Sequence, residues 1–186
     1  MKVAIYCGSA EGNSPEYTDG VKALGVYLAE QGVDIVYGGG NVGLMGVIAN
    51  SALQAGGKVI GVIPAHLESK EIAHTGLTAL HVVANMHERK AKMSELADAF
   101  VALPGGVGTL EEMFEVWTWG QLGLHGKPCA FYNINGFYDP MFTMVESMQQ
   151  AGFVKQSYID MIIKANTPEM LLSAFQAYQA PQPKWS

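Results

Sequence analysis

Short apolar runs alternate along the chain with longer segments in which apolar residues recur at helical spacing. Runs that are apolar throughout are typical of strands buried on both faces of a parallel sheet, and the intervening segments are typical of the helices that cover it. The pattern therefore predicts successive β-α units and a mainly parallel sheet. Strands are expected at residues 2–7, 34–40, 58–64, 81–83, 99–103, 128–132 and 159–165.

Start and stop signals bound the predicted helices. Ser14 followed by proline has the pattern of an N-cap and a first helical residue, and Thr167 followed by proline repeats it near the end of the chain. Residues 65–80 carry polar side chains with little periodicity, so we expect a loop that can line a site. Helices are expected at residues 15–32, 43–55, 86–96, 109–122, 138–150 and 168–178.

This order of elements predicts one α/β domain over residues 1–180, Rossmann-like and doubly wound, with helices on both faces of its sheet. A chain of 186 residues is long enough to bury one sizeable core and short for two. Residues 181–186 are expected to form a flexible tail.

Glycine-rich turns follow three of the predicted strands. Their sequences are CGSAEGNS, YGGGNVGLMG and LPGGVGTLEE. A single such turn is often explained by a tight bend, which needs glycine in any case. Because the carboxyl ends of parallel strands share one edge, however, three turns together favour a ligand site there, with backbone amides available to an anion such as phosphate.

Two familiar nucleotide motifs do not fit these turns. Gly38, Gly40 and Gly43 have the G-x-G-x-x-G spacing of a dinucleotide site, but the acidic residue expected at the end of the next strand is missing, since that strand ends at Pro64 and Glu68 lies beyond it. No Gly-Lys-Ser/Thr sequence follows any of the turns, as a P-loop requires. Both classes of site are therefore disfavoured.

The segment LPGGVGTLEE is unusual because carboxylates follow a turn that suits an anion. In a helix beginning at Thr109, Glu112 lies nearly opposite the apolar stripe. Thr109 and Glu112 also have the spacing of a capping box, which needs no ligand. Glu112 thus has two interpretations, a helix cap or a carboxylate facing a pocket beside the turn. The expected stripe is Leu110, Met113, Phe114 and Trp117.

Arg89 is the only arginine in the chain and falls in the first turn of the helix predicted over residues 86–96. A cation at that end of a helix is mildly unfavourable because of the helix dipole. Arg89 either belongs to a solvated helix face or serves as a fixed bidentate donor beside an anionic ligand. The residue pattern alone leaves both interpretations open.

Composition excludes several classes of partner. A net charge of −6 and a pI near 5.3 disfavour binding to nucleic acid, which needs clustered basic residues. Cys7 and Cys129 lie in apolar runs away from any metal-type cluster, so we expect inert buried thiols and no metal site. The N-terminal apolar run is too short for a secretory signal, and no run approaches the ~18 residues of a membrane span. We expect a cytoplasmic protein without a membrane partner.

Two motifs resemble those of the LOG (lonely guy) family, the cytokinin riboside 5′-monophosphate phosphoribohydrolases: MHERK at residues 86–90 and PGGVGTLEE at residues 104–112. The resemblance extends over CGSAEG, YGGGNVGLMG and TWGQLG, and so covers nearly the whole chain. It implies a homodimeric Rossmann-like enzyme that needs no cofactor. The implied reaction is hydrolysis of the N-glycosidic bond of a nucleoside 5′-monophosphate, AMP or an N6-modified AMP, to free base and ribose 5-phosphate.

The resemblance assigns Arg89 and Glu112 as the catalytic pair. Cleavage of a ribosyl C–N bond passes through an oxocarbenium-like transition state, which a carboxylate stabilises directly or by orienting the attacking water, and this role suits Glu112. Arg89 would hold the phosphate or ribose in place. The predicted substrate-binding residues are Gly8, Ser9, Gly39, Gly40, Glu71, Lys90, Gly105, Gly106, Val107, Gly108, Thr109, Leu110, Glu111 and Thr118.

Two other functions compete with the hydrolase: a nucleotide-binding module and a lysine decarboxylase. A non-catalytic nucleotide-binding module would use the same turns, with Glu112 acting only as a cap. Many members of the resembled family were once labelled lysine decarboxylases, but that reaction needs pyridoxal phosphate on a Schiff-base lysine with an acidic partner for the pyridinium nitrogen. No lysine of this chain stands in such a sequence context. We therefore predict a cofactor-free hydrolase, with the binding module as the alternative.

Overall fold

A sheet of seven parallel strands forms the centre of the computed structural model, which describes residues 1–68 and 73–180. The strands are β1 (Lys2–Tyr6), β2 (Asp34–Tyr37), β3 (Val59–Pro64), β4 (Ala79–Val83), β5 (Ala99–Ala102), β6 (Cys129–Tyr132) and β7 (Ile162–Ala165). Their spatial order is β4-β3-β2-β1-β5-β6-β7. The strand order therefore reverses between β1 and β5, and a crevice at such a point is where ligands bind in this class of fold.

Helices cover both faces of the sheet. They are α1 (Pro15–Glu30), α2 (Gly43–Gln54), α3 (Ala65–Glu68), α4 (Met86–Leu96), α5 (Val107–Gln121), α6 (Asp139–Gln150), α7 (Gln156–Ile159) and α8 (Pro168–Ala177), with a 3₁₀ turn at Ile134–Gly136. Buried side chains of α1, α2 and α8 form one core, and those of α4, α5 and α6 form the other.

The central strand β1 supplies both cores. Val3 and Ile5 belong to the core beneath α1, α2 and α8, whereas Ala4 and Tyr6 belong to the core beneath α4 and α5. Successive side chains of a strand point to opposite faces, and a strand covered on both faces must be apolar throughout. The predicted doubly wound α/β class is confirmed.

The predicted helix starts at Ser14 and Thr167 are confirmed. Ser14 accepts a hydrogen bond from the backbone amide of Glu16 at 3.4 Å, and Thr167 accepts one from that of Met170 at 3.2 Å. Each cap satisfies one of the amides that the first turn of a helix leaves unpaired.

The predicted strand over residues 159–165 is wrong in its first half. Helix α7 ends at Ile159, and β7 begins only at Ile162. The indole of Trp117 donates a hydrogen bond to the backbone oxygen of Tyr158 at 3.0 Å, and Tyr158 and Met161 are buried. Tertiary packing therefore bends a segment whose composition favours a strand.

The loop predicted over residues 65–80 is only partly irregular. It contains α3, and β4 begins at Ala79, two residues before the predicted strand start. Thr78 explains this start, because its backbone amide donates to the Val59 oxygen at 2.9 Å and its hydroxyl accepts from the Val59 amide at 3.0 Å. The predicted site residue Glu71 and the predicted tail over residues 181–186 lie outside the described residues.

None of the helices in the described part of the chain combines the length and the hydropathy needed to cross a lipid bilayer.

A buried histidine ties the segment before β4 to the turn after β2. The amide of His74 donates to the Gly39 oxygen at 3.0 Å, and Ala73 forms an isolated bridge with Gly40. His74 Nδ1 accepts from the Gly76 amide at 3.0 Å, which leaves the proton on Nε2, 3.0 Å from the side-chain oxygen of Asn50. The imidazole is thus bound in its neutral form.

We expect the free energy of unfolding to fall as the pH drops below 6.5, because burial lowers the pKa of His74 from that ordinary value. In this range the unfolded chain binds more protons than the folded chain, so stability is lost; above it, the contribution is fully present. Urea denaturation on both sides of this pH measures the slope. His74→Gln should flatten it, while a change at the exposed His66, His66→Gln, should not; equal slopes in all three proteins would contradict the expectation.

Candidate active site

The turns that follow β1 and β5 lie in direct backbone contact. The amide of Gly8 donates to the oxygen of Pro104 at 3.1 Å. A Cβ atom on Gly105 would overlap the hydroxyl of Thr109 and would lie 2.8 Å from the Gly8 nitrogen. Glycine at position 105 is therefore a requirement of close approach. The N–H of Gly8 is bonded to Pro104, and Gly8 also lines the cavity. Its predicted role in substrate binding therefore depends on contacts other than this amide.

A cavity of about 300 Å³ opens beside these turns at the carboxyl edge of the sheet. It receives residues from the turn after β1, from α2, α3 and α4, and from the start of α5. The lining residues are Cys7, Gly8, Ser9, Met45, Leu67, Met86, Arg89, Gly106, Gly108, Thr109, Glu111 and Glu112. Arg89 and Glu112, the predicted catalytic pair, therefore line the same cavity as Gly106, Gly108 and Thr109 of the glycine-rich turn.

Helix α5 begins at Val107, not at Thr109. Its N-cap is Gly106, which has no side chain to cap the first turn. The predicted capping box is therefore wrong, because Thr109 is already the third helical residue and is buried. A Cβ atom on Gly106 or Gly108 would meet nothing within 4 Å. The first amides of α5 thus border open space, which is the arrangement that binds anions.

The first turn of α4, by contrast, is capped by side chains. Asn85 accepts from the amide of Glu88 at 3.0 Å, and the carboxylate of Glu88 accepts from the amide of Ala84 at 3.0 Å. This exchange resembles a capping box. These two hydrogen bonds hold the start of α4, the helix that carries Arg89.

Arg89 is buried and is held against the end of β2. Its Nη2 donates to the backbone oxygen of Gly38 at 3.3 Å, and its Nη1 lies 3.7 Å from the sulfur of Met86. A Cβ atom on Gly38 would overlap Nη2. The first glycine of the G-x-G-x-x-G pattern therefore makes room for the guanidinium group. We did not assign Gly38 to the site, although its place in that motif was a usable signal.

Lys90, the next residue of α4, turns toward α5 and does not line the cavity. Its Nζ lies 2.6 Å from Glu111 and 3.0 Å from Glu115. Burial opposes the charged form, but hydrogen bonds and charges from Glu111 and Glu115 outweigh it and raise the pKa of Lys90. Lys90 therefore fastens α4 to α5, while its partner Glu111 is also part of the cavity wall.

The charges of Glu112 and Arg89 both act on Cys7, which lines the cavity. Burial raises the pKa of the Cys7 thiol well above its ordinary value; Glu112 raises it further, whereas Arg89 lowers it. The thiol is therefore protonated and unreactive, as the sequence predicts. Both predicted catalytic charges act on this one side chain, so a ligand beside Cys7 would meet a cation and a carboxylate together.

Other predicted contacts lie away from the cavity. Gly39 and Gly40 are buried and hold the segment around His74. Leu110 is half-buried on the core side of α5. Thr118 is exposed, and its hydroxyl donates to the Phe114 oxygen at 2.7 Å.

Gly105 and Val107, which we predicted to bind substrate, do not line the cavity, and Val107 is 85% exposed at the first position of α5.

Met45, Leu67 and Met86 were not among the predicted site residues, and they form the apolar part of the wall. Each carried a signal: Met86 begins MHERK, Met45 lies in YGGGNVGLMG, and Leu67 lies in the segment 65–80 that we expected to line a site. Among the described residues, no group of three or more His, Cys, Asp or Glu is placed to hold a metal ion.

Comparison with known proteins identifies relatives of the whole chain. A family model described as "Possible lysine decarboxylase" matches residues 45–175. The cytokinin riboside 5′-monophosphate phosphoribohydrolase LOG of Oryza sativa subsp. japonica is 44% identical over 177 residues, which are 95% of this chain and 73% of that protein. The cytokinin riboside 5′-monophosphate phosphoribohydrolase of Rhodococcoides fascians is 46% identical over 176 residues, covering 94% and 89%.

More distant solved structures share the architecture. The molybdenum cofactor binding protein from the phototrophic bacterium Rippkaea orientalis superposes with a TM-score of 0.70 over 95% of each chain. Its sequence identity is 20%, so the likeness shows the fold alone.

We expect Lys90→Met to lower the free energy of unfolding by about 1–3 kcal/mol, because Glu115 keeps a buried carboxylate oxygen without its cation. Urea denaturation followed by circular dichroism measures the change. Lys92→Met is the matched control on the same helix, since Lys92 pairs with Glu95 in solvent, and its cost should stay within about 0.5 kcal/mol. Equal losses in the two variants would show that the buried bridge does not stabilise the fold.

Proposed function

We propose that this chain, which belongs to the LOG family of cytokinin riboside 5′-monophosphate phosphoribohydrolases, hydrolyses the N-glycosidic bond of a nucleoside 5′-monophosphate. The substrate is AMP or an N6-modified AMP such as a cytokinin riboside monophosphate, and the products are the free base and ribose 5-phosphate. One observation carries the proposal: Arg89 and Glu112 line the same cavity as the uncapped first turn of α5.

The phosphate group fits the start of α5. Amides of the first helical turn have no carbonyl partner within the helix, and here the N-cap, Gly106, has no side chain to take them. The positive end of the helix dipole adds to their attraction for a dianion. Gly106 and Gly108 leave the approach open, because neither carries a side chain and a Cβ atom there would meet nothing within 4 Å.

Arg89 supplies the charge that positions the substrate. Its guanidinium group is fixed by the Gly38 oxygen and by burial, so little side-chain entropy remains to be lost when it binds an oxygen of the ligand. Holding a substrate near its reactive geometry can supply several kcal/mol of the barrier reduction.

Glu112 lies two residues beyond the first turn of α5, on the cavity wall. A phosphate at the helix start would place the attached ribose along the helix toward this carboxylate. Positive charge that develops on the sugar as the base departs would then be stabilised by Glu112, or Glu112 would orient the water that attacks the anomeric carbon.

The lysine next to Arg89 does not suit a decarboxylase that uses pyridoxal phosphate. A Schiff-base lysine must be available as a neutral amine. Lys90, the lysine beside Arg89, is bound to Glu111 and Glu115, and its pKa is raised, so it stays protonated. The proposed hydrolysis requires only side chains, backbone amides and water, without a cofactor or metal.

We extend the proposal to the setting of the enzyme. We propose a homodimer, as the family resemblance implies. Apolar side chains exposed just after α5, Leu122 and Leu124, support it, the second of them 70% exposed. A reducing cytoplasm is supported by Cys7 and Cys129, which are both free thiols. The net charge of −6 argues against nucleic acid as a partner.

We expect Glu112→Gln and Arg89→Ala each to lower the release of free base from AMP by about 100- to 1000-fold, because each removes a charge that acts on the transition state. Chromatography of the products across a panel of nucleoside monophosphates measures turnover, and circular dichroism checks folding. Glu95→Gln, an exposed carboxylate on α4, should match the wild type. No turnover by the wild type, with nucleotide still bound, would favour a binding module instead.

We expect Gly38→Ala to lower turnover by about 10- to 100-fold, because the new methyl group would displace the guanidinium group of Arg89. Steady-state kinetics and a crystal structure of the variant test both parts of this statement. Gly126→Ala is the control. Gly126 does not line the cavity, and its added Cβ atom would come no closer than 3.1 Å to a neighbouring atom, the Cβ atom of Ala180. If Arg89 were shifted in the crystal structure and turnover were unchanged, Arg89 would have no role in the reaction.

A further inference from the structure

The hydroxyl of Tyr6 is a buried polar group without a hydrogen-bond partner among residues 1–68 and 73–180. Tyr6 is the last residue of β1, is 2% exposed, and stacks on Phe100 with ring centroids 6.4 Å apart. An unpaired buried hydroxyl destabilises a fold, and phenylalanine would fill the same space without that cost. Packing therefore accounts for the Tyr6 ring but not for its hydroxyl group.

Tyr6 lies on the face of the sheet that α5 covers. Its side chain shares a core with Met113 and Val116, the residues one and four positions after Glu112 on the helix. Its chain neighbour Cys7 lines the same cavity as Glu112. Tyr6 is therefore buried next to the cavity wall, within electrostatic reach of the predicted catalytic carboxylate.

The charged groups around the hydroxyl come from three elements. Burial raises the pKa of Tyr6 most; Glu112, the Cys129 thiol and Glu115 raise it further, and Arg89 lowers it. Among the side chains, Glu112 has the largest effect. The phenol is therefore neutral at physiological pH, and toward a carboxylate it acts as a hydrogen-bond donor.

We propose that Tyr6 is a positioning residue for the hydrolysis, a statement that rests on the function proposed above: when substrate fills the cavity, the Tyr6 hydroxyl donates a hydrogen bond to the carboxylate of Glu112. The bond favours the ionised carboxylate and fixes its direction toward the ribose. Hydrogen bonds of this kind are often long in a ligand-free enzyme and shorten only in the complex. The hydroxyl is then unpaired only in the resting state.

Tyr6→Phe separates this role from a structural one. We expect kcat for AMP to fall about 10- to 100-fold with little change in KM, and the acid limb of the kcat profile to move to higher pH, because Glu112 becomes harder to ionise. The melting temperature should stay equal or rise, since an unpaired hydroxyl is removed. Tyr132→Phe is the matched control, because burial and Glu169 raise the pKa of Tyr132 on the opposite face of the sheet; it should leave kcat and the profile unchanged.

A second measurement does not depend on turnover. Carbon-13 NMR of protein labelled at the glutamate carboxyl carbon follows the titration of Glu112, assigned with Glu112→Gln, with and without ribose 5-phosphate. The pKa of Glu112 should be higher in Tyr6→Phe than in the wild type by about 0.5–1 pH unit when the ligand is bound.

These results decide the two proposals separately. A wild-type protein that hydrolyses no nucleotide would refute the proposed function, while the NMR comparison would still test the bond between Tyr6 and Glu112. Identical titration of Glu112 in the two proteins overturns the inference. So does a Tyr6→Phe variant that loses thermal stability but keeps the wild-type kcat and pH profile.

Discussion

The contact between the backbones of the turns after β1 and β5 determines the form of the site. Gly8 donates to the Pro104 oxygen, and Gly105 lacks the Cβ atom that would hold the two turns apart. From these adjoining turns α1 and α5 leave toward opposite faces of the sheet, so a crevice must open between them. The close approach requires glycine at position 105, whereas a Cβ atom on the N-cap, Gly106, would meet nothing within 4 Å. The absence of a capping side chain at Gly106 is therefore not a packing requirement, and it keeps the approach to the start of α5 open.

The two helices that face the cavity satisfy their first turns in different ways. At α4, the side chain of Asn85 accepts from the Glu88 amide, and that of Glu88 accepts from the Ala84 amide. At α5 the N-cap is Gly106, which has no side chain to take an amide. The first turn of α4 thus supports Arg89, and the first turn of α5 is the place where we propose that the phosphate binds. This division assigns opposite roles to two sequence motifs that look equally suited to a cap.

The order of elements and the edge of the sheet at which the cavity lies could be predicted because they depend on local patterns. Apolar periodicity marks strands and helices, and chain order alone brings the carboxyl ends of parallel strands to one edge. The start of α5 could not be predicted, because Gly106 and Thr109 are comparable N-cap residues and local sequence does not choose between them; the helix begins at Val107. The pairing of Arg89 with Gly38 joins residues 51 positions apart, which no local pattern encodes. The predicted capping box failed for the same reason, since tertiary contacts decided between two locally reasonable starts.

Arg89 and Lys90 are neighbours in the chain, yet one faces the cavity and the other grips α5 through Glu111 and Glu115. Lys90 therefore couples the position of α4, which carries Arg89, to the position of α5, which carries Glu112. The distance between the backbones that bear the cation and the carboxylate is then set by the folded framework. Such a framework needs little reorganisation during a reaction. It selects ligands whose anionic group and reacting sugar match the existing distance between the helices that carry Arg89 and Glu112.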